Sequence, residues 1–238
     1  FLAGATIAAD ELESEIRKVI DATGGSNFGL NFHMFQDNAA QCVDLAIQYR
    51  LRAVSYGRGP DKQTIARFKA ANVLCIPTVG ALKHALKAVE LGADMITVQG
   101  GEGGGHTGGV PSSILLPQVL AAVKVPVIAA GGFSTGRGLA SVLAAGGAGI
   151  AMGTRFLMTR ESPTPAATLE RYLQVNDPQQ VRVTTAVDGM RHRMIENRFI
   201  NRLERAGSFG RLRIALGSAW QWKQQTGMSL GHMLAVFI

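Results

Sequence analysis

Short, nearly continuous apolar runs alternate along this chain with longer stretches in which apolar residues recur three and four positions apart. The short runs cover residues 28–34, 53–56, 73–78, 95–99, 125–130 and 148–152, and a stub of the same kind covers residues 1–4. Rich in Val, Ile, Ala and Met, they predict strands buried on both faces. The stretches at 11–22, 39–50, 61–71, 81–91, 113–123, 136–145 and 165–175 predict amphipathic helices, and Gly92 and Gly146 stand where a helix should stop. Strands that alternate with helices in this way predict an α/β fold with a parallel sheet.

Glycines and polar residues gather where the predicted strands end. Residues 95–109 read MITVQGGEGGGHTGG, so that an apolar run stops at Gln99 and opens into a glycine loop around His106. A backbone without side chains can lie close to a flat ligand, which leaves His106 as the one titratable ring on a bare wall. Glycine runs also mark plain turns, and two further turns bear on the choice. Residues 127–133 read VIAAGGF and lead into a helix opening at Ser134 or Thr135, and residues 150–156 read IAMGTRF. In (β/α)8 barrels a phosphate commonly binds between the loops after the last two strands, held by backbone N–H groups and a helix N-terminus. Gly131, Gly132, Gly153 and Thr154 suit that role, and their order after the histidine loop predicts a (β/α)8 TIM barrel. A doubly wound sheet would carry its phosphate turn after the first strand and ranks second.

With 238 residues, 47% of them hydrophobic, the chain can bury a large core in one main domain. No apolar run reaches the roughly 18 residues that cross a bilayer, and residues 1–25 lack the pattern of a signal peptide. Cys42 and Cys75 are too few for a disulfide framework and lack ligand spacing, which predicts a cytoplasmic protein with two unreactive thiols. The net charge of +7 is concentrated in residues 181–238, where nine Arg or Lys, among them Arg191, Arg193, Arg198 and Arg202, face only Asp188, Glu196 and Glu204. A basic surface beside a pocket favours anionic partners such as phosphates, nucleotide-bearing thioesters or acidic carrier proteins. Without a helix-turn-helix, a zinc-finger spacing or an aromatic strip, nucleic acid is not the expected partner. The Arg-rich helix around residues 197–205 reads by default as a solvated face.

The segments GGEGGGHTGG, VIAAGGFSTGRG and MGTRFLMTRES, in this order, resemble the nitronate monooxygenase family, formerly called 2-nitropropane dioxygenases, and the related flavin-type enoyl-ACP reductases. The likeness covers residues 28–162. It implies FMN bound in a barrel, with Asn31 of FGLNF and Gln99 near the flavin or its ribityl chain. It also implies that Gly105, Gly131, Gly132, Gly153 and Thr154 hold the rest of the cofactor, mostly its phosphate, and that His106 is the catalytic histidine facing the isoalloxazine ring. The family's barrel opens with a strand carrying a flavin contact and a helix, ahead of the strand that Phe1 to Gly4 match. The expectation is therefore a barrel lacking its first strand and helix over residues 1–175, with a basic, mostly helical segment over residues 176–238 packed on or beside it.

FMN accepts a hydride or single electrons while the protein sets orientation and protonation. A histidine beside it can take a proton next to a nitro or carbonyl group, and N–H groups of residues 100–109 can hold the negative charge that develops. The expected activity is oxidation of a nitronate or similar stabilised carbanion, with O2 as acceptor. The alternative is reduction or dehydrogenation of an enoyl- or keto-acyl thioester on CoA or an acyl carrier protein, with the basic segment on its phosphates. A flavin-binding protein without turnover is a third reading. The partner is a small molecule, with no membrane, and a homodimer is compatible with the sequence. The sequence shows no Ser-His-Asp order, no carboxylate pair and no cluster of metal ligands. His33 is a candidate pocket residue and Asn31 could instead serve a cap or turn. His84 and Glu102 are expected to face solvent, and Met190 and Met194 to pack.

Overall fold

The computed structural model describes residues 1–57, 62–187, 189–207, 210, 213 and 214. Asp188, Arg211 and Lys223 of the basic segment lie outside the described residues. The strands are β1 (Leu2–Ala3), β2 (Gly29–His33), β3 (Ala53–Gly57), β4 (Leu74–Val79), β5 (Ile96–Gln99), β6 (Gly105–His106), β7 (Val127–Ala130), β8 (Gly149–Ala151), β9 (Val181–Thr184) and β10 (His192–Ile195). The helices are α1 (Ala9–Thr23), α2 (Ala39–Gln48), α3 (Lys62–Ala70), α4 (Leu82–Leu91), α5 (Ser112–Ala122), α6 (Gly136–Ala144), α7 (Thr154–Leu157), α8 (Ala166–Leu173) and α9 (Arg198–Arg205). Each helix predicted from periodicity starts and stops within two residues of its predicted bounds.

The described residues divide into two compact units, one within Phe1–Glu102 and Gly108–Met152, the other comprising Gly103–Thr107 and the described residues from Gly153 onward. In the first, seven parallel strands make one curled sheet in the order β1-β2-β3-β4-β5-β7-β8. Helices link successive strands, as parallel pairing requires of a crossover connection. Alternate strand residues point at the helices. Leu30, Phe32, Val54, Tyr56 and Cys75 pack with Leu12, Ile16, Val43 and Phe68, while Ile96, Val98, Val127 and Ala129 pack with Ala85, Leu115, Val119 and Val142. The intervening residues fall on the opposite face, and many are polar: Asn31, Ser55, Thr78, Thr97 and Gln99. Apolar run length alone did not distinguish that second face from the first.

In the second unit, the segment from 176 on, expected to be mostly helical, contributes among its described residues both helix α9 and two strands, β9 and β10, the latter to an antiparallel sheet of order β6-β10-β9. VRVT and HRMI carry the β-branched residues and the alternation of short strands, a signal hidden by their density of arginine. Helix α9 does form at the Arg-rich stretch, with Ile200 and Leu203 buried. Among the described residues no helix is long and apolar enough to cross a membrane.

Candidate active site

In the first unit, Asn31, Gln99, Gly131 and Gly132 lie on the sheet face opposite the packed helices or at the C-terminal ends of its strands. Asn31, half-buried in β2, faces its register partner Ser55 in β3, and its Nδ2 donates to the Ser55 carbonyl (3.3 Å) and hydroxyl (3.2 Å). Gln99 closes β5 opposite Ala130 of β7, so Gln99 and Gly131 sit at neighbouring strand ends. Gly100 N–H donates to the Ala130 carbonyl at 3.2 Å and holds those ends together. Gly131 and Gly132 follow with φ of 92° and 78°, left-handed values that L side chains rarely adopt. The chain then enters α6, where the Thr135 hydroxyl accepts from Gly138 N–H at 3.4 Å. The remaining first-turn N–H groups of such a helix are suited to an anion.

Glu102 is exposed, as expected, but its carboxylate is engaged. Its carboxylate accepts from Ser112 N–H (3.0 and 3.2 Å) and from the Ser112 hydroxyl (2.8 Å). The N-cap of α5 is Pro111, whose side chain cannot accept a hydrogen bond, so the carboxylate from the glycine loop takes that role. A negative charge there also matches the helix dipole. A Cβ on Gly100 would collide with the Ser112 hydroxyl, and one on Gly132 would stand 3.2 Å from Glu102 Cβ. Glu102 thus ties the glycine loop to α5 and packs against the glycine turn after β7.

In the second unit, His106 ends β6 directly opposite His192 of β10, and Gly105 lies opposite Arg193. Thr107 N–H donates to the Arg191 carbonyl at 2.9 Å and continues the ladder. The two imidazoles are in contact, with ring centroids 3.7 Å apart and planes tilted by 48°. His192 Nδ1 lies 3.3 Å from the Met190 carbonyl. A carbonyl can only accept, so this contact suits a His192 whose Nδ1 is the donor. His106 is exposed. A Cβ on Gly104 would stand 3.7 Å from Thr154 Oγ1, which brings the histidine loop to the first residue of α7. Gly153 is the N-cap of α7, and its carbonyl accepts from Phe156 N–H at 2.9 Å.

The structure therefore groups Gln99 with Gly131 and Gly132 in one unit, and His106 with Gly105, Gly153 and Thr154 in the other. Asn31 is separated from Gln99 by β3 and β4. His192 was missed in the sequence, where it stands among arginines, and only the strand register reveals it. His33 ends β2, exposed, with its ring stacked on Phe35 at 5.3 Å, and His84 is exposed on α4 as expected. Met190 and Met194 are half-buried. Cys42 and Cys75 are buried free thiols. Burial pushes both up to about 11, which suppresses the thiolate needed for nucleophilic chemistry at neutral pH. Among the described residues no three of His, Cys, Asp and Glu converge where a metal ion could sit.

Comparison with known proteins places this geometry in a family. The chain is 47% identical over 227 residues to the (3aS,4S,5R,7aS)-5-hydroxy-7a-methyl-1-oxo-octahydro-1H-indene-4-carboxyl-CoA dehydrogenase of Rhodococcus jostii, a match covering 95% of this chain and 64% of that protein. The chain thus spans just under two thirds of that relative's length. Among solved structures, FabK from Thermotoga maritima superposes with a TM-score of 0.80 at 29% identity, covering 91% of this chain and 70% of that one. The nitroalkane oxidase of Streptomyces ansochromogenes superposes with a TM-score of 0.77 at 30% identity, covering 84% and 70%. The profile of the nitronate monooxygenase family matches residues 33–215, and the chain belongs to that family, with its TIM-barrel-like fold.

Proposed function

We propose that the protein is an FMN-dependent oxidoreductase in which His106 is the acid-base residue. Family membership and the exposed His106 at the end of a strand in a glycine loop support this reading. The backbone suits a flat, phosphorylated cofactor: Gly131 and Gly132 keep left-handed turns, and Cβ atoms on Gly105 or Gly153 would meet nothing within 4 Å. In this reading Asn31 and Gln99 lie near the flavin or its ribityl chain, Gly105 beside it, and Gly131, Gly132, Gly153 and Thr154 around its phosphate. FMN, when bound, accepts a hydride or electrons. His106 takes a proton beside a nitro or carbonyl group, or supplies one after hydride transfer, and glycine-loop N–H groups hold the charge that grows on the neighbouring oxygen. Buried free thiols at Cys42 and Cys75 agree with a reducing compartment such as the cytoplasm.

The family is named for nitronate oxidation, and a nitronate is one substrate this arrangement serves. A specific observation favours the second reading, an acyl thioester of coenzyme A. That observation is the 47% identity, across 95% of the chain, to a protein named as a CoA dehydrogenase. The deciding experiment is anaerobic stopped-flow reduction of the flavin in the full-length protein by alkyl nitronates, alicyclic acyl-CoA thioesters and NAD(P)H. Reduction by the thioester at a catalytic rate supports the second reading, and reduction by the nitronate alone overturns it. His106→Asn is expected to keep the flavin while slowing reduction about 10²-fold or more, the scale of a lost acid-base group. An unchanged rate makes His106 structural.

A further inference from the structure

Helix α9 carries Arg198, Arg202 and Arg205, at positions i, i+4 and i+7. At about 100° per residue these fall within an arc of about 60°, while Ile200 and Leu203 lie on the far side and are buried. The three arginines are exposed and, with Asn201 and Ala206, line a concavity of about 490 Å³. The neighbouring carboxylates are engaged elsewhere: Arg182 holds Glu204 at 2.6 Å and Glu196 at 3.0 Å. Among the described residues, no ion pair joins Arg198, Arg202 or Arg205 to a carboxylate.

Helix stability accounts for part of this pattern. Cations in a last turn complement the helix dipole, which explains Arg202 and Arg205. Arg198 is the first residue of α9, just after the Asn197 cap, where the same dipole disfavours a cation. Its alignment with the other two needs another cause, and a bound anion supplies one. Phe199, 41% exposed, adds a flat apolar surface beside the Arg202 guanidinium, which lies 5.7 Å from its ring centroid. Guanidinium groups take phosphate oxygens two at a time, and aromatic faces take purine bases. Of the four arginines singled out by charge density, only Arg198 and Arg202 share this face. Arg193 pairs in β10 with Gly105, and the carbonyl of Arg191 is taken by Thr107.

We propose that this face of α9 binds the nucleotide end of a coenzyme A thioester: a 3′-phosphate and a 5′-diphosphate carried on one ribose, with the purine against Phe199. The proposal rests on the thioester reading above and identifies which residues would recognise the carrier. Isothermal titration of the flavin-loaded full-length protein with free coenzyme A, 3′-dephospho-coenzyme A and pantetheine tests it. Coenzyme A is expected to bind about tenfold or more tightly than the dephospho form, with the difference shrinking as salt is raised. Arg198→Gln with Arg202→Gln is expected to weaken coenzyme A binding at least tenfold and to erase its advantage over the dephospho form. Arg205→Gln alone should give a smaller loss in the same direction. Wild-type affinity for coenzyme A in the double variant overturns the site while leaving the thioester reading in place. If the unmodified protein binds no coenzyme A while a nitronate reduces its flavin, the thioester reading and the site both fall.

Discussion

The glycine loop after β5 and the turn at Gly153 after β8 both follow an apolar run in sequence, but the protein's own backbone demands glycine in one and not in the other. A Cβ on Gly100 would collide with Ser112. Gly153 has ordinary dihedrals, φ −99° and ψ −74°, and nothing within 4 Å of its missing Cβ. Between these extremes lie Gly105, with φ 71° and open space, and Gly132, with φ 78° and Glu102 Cβ at 3.2 Å. The fold explains Gly100 and Gly132 without any ligand. It does not explain Gly153, so the case for a cofactor is cleanest there, where a substitution disturbs nothing else.

Urea unfolding of the flavin-free protein should rank these positions. Gly100→Ala is expected to cost the most, about 3 kcal/mol, because the Ser112 contact must give way and the Glu102 cap moves with it. Gly132→Ala should cost about 2 kcal/mol from its left-handed φ and the close Glu102 contact. A loss equal to that of Gly153→Ala would show that the turn relaxes out of its left-handed φ and away from Glu102. Glu102→Ala should cost about 1 kcal/mol through the lost cap on α5, and an unchanged midpoint would show that solvent replaces it. Gly153→Ala should leave stability within about 0.5 kcal/mol of the unmodified protein.

The sharper test uses a charge. Gly153→Asp should leave the flavin-free protein as stable as before and still lower FMN affinity at least tenfold, because a carboxylate would face the cofactor's phosphate. Gly132→Asp should also expel FMN, but its own strain confounds the result. A Gly153→Asp protein with normal FMN content would remove this turn from the phosphate site.

What the sequence determined by itself was local. A period of three to four residues placed the helices, apolar runs placed the strands of the parallel sheet, and glycines after apolar runs marked the loops that bear chemistry. His106 was visible for that reason, as a lone ring in a glycine loop. Tertiary structure alone decided which groups meet. His192 became the partner of His106 through antiparallel register, and a slip of one residue would have turned it to the other face. Glu102, exposed as expected, found Ser112 because Pro111 left a helix N-terminus without a side-chain acceptor. The hairpin of β9 and β10 escaped notice because short strands draw their stability from cross-strand neighbours rather than from any period strong enough to outweigh a run of arginines. Local pattern settles which elements form, whereas register, capping and the shared face of Arg198, Arg202 and Arg205 depend on contacts made only when those elements pack.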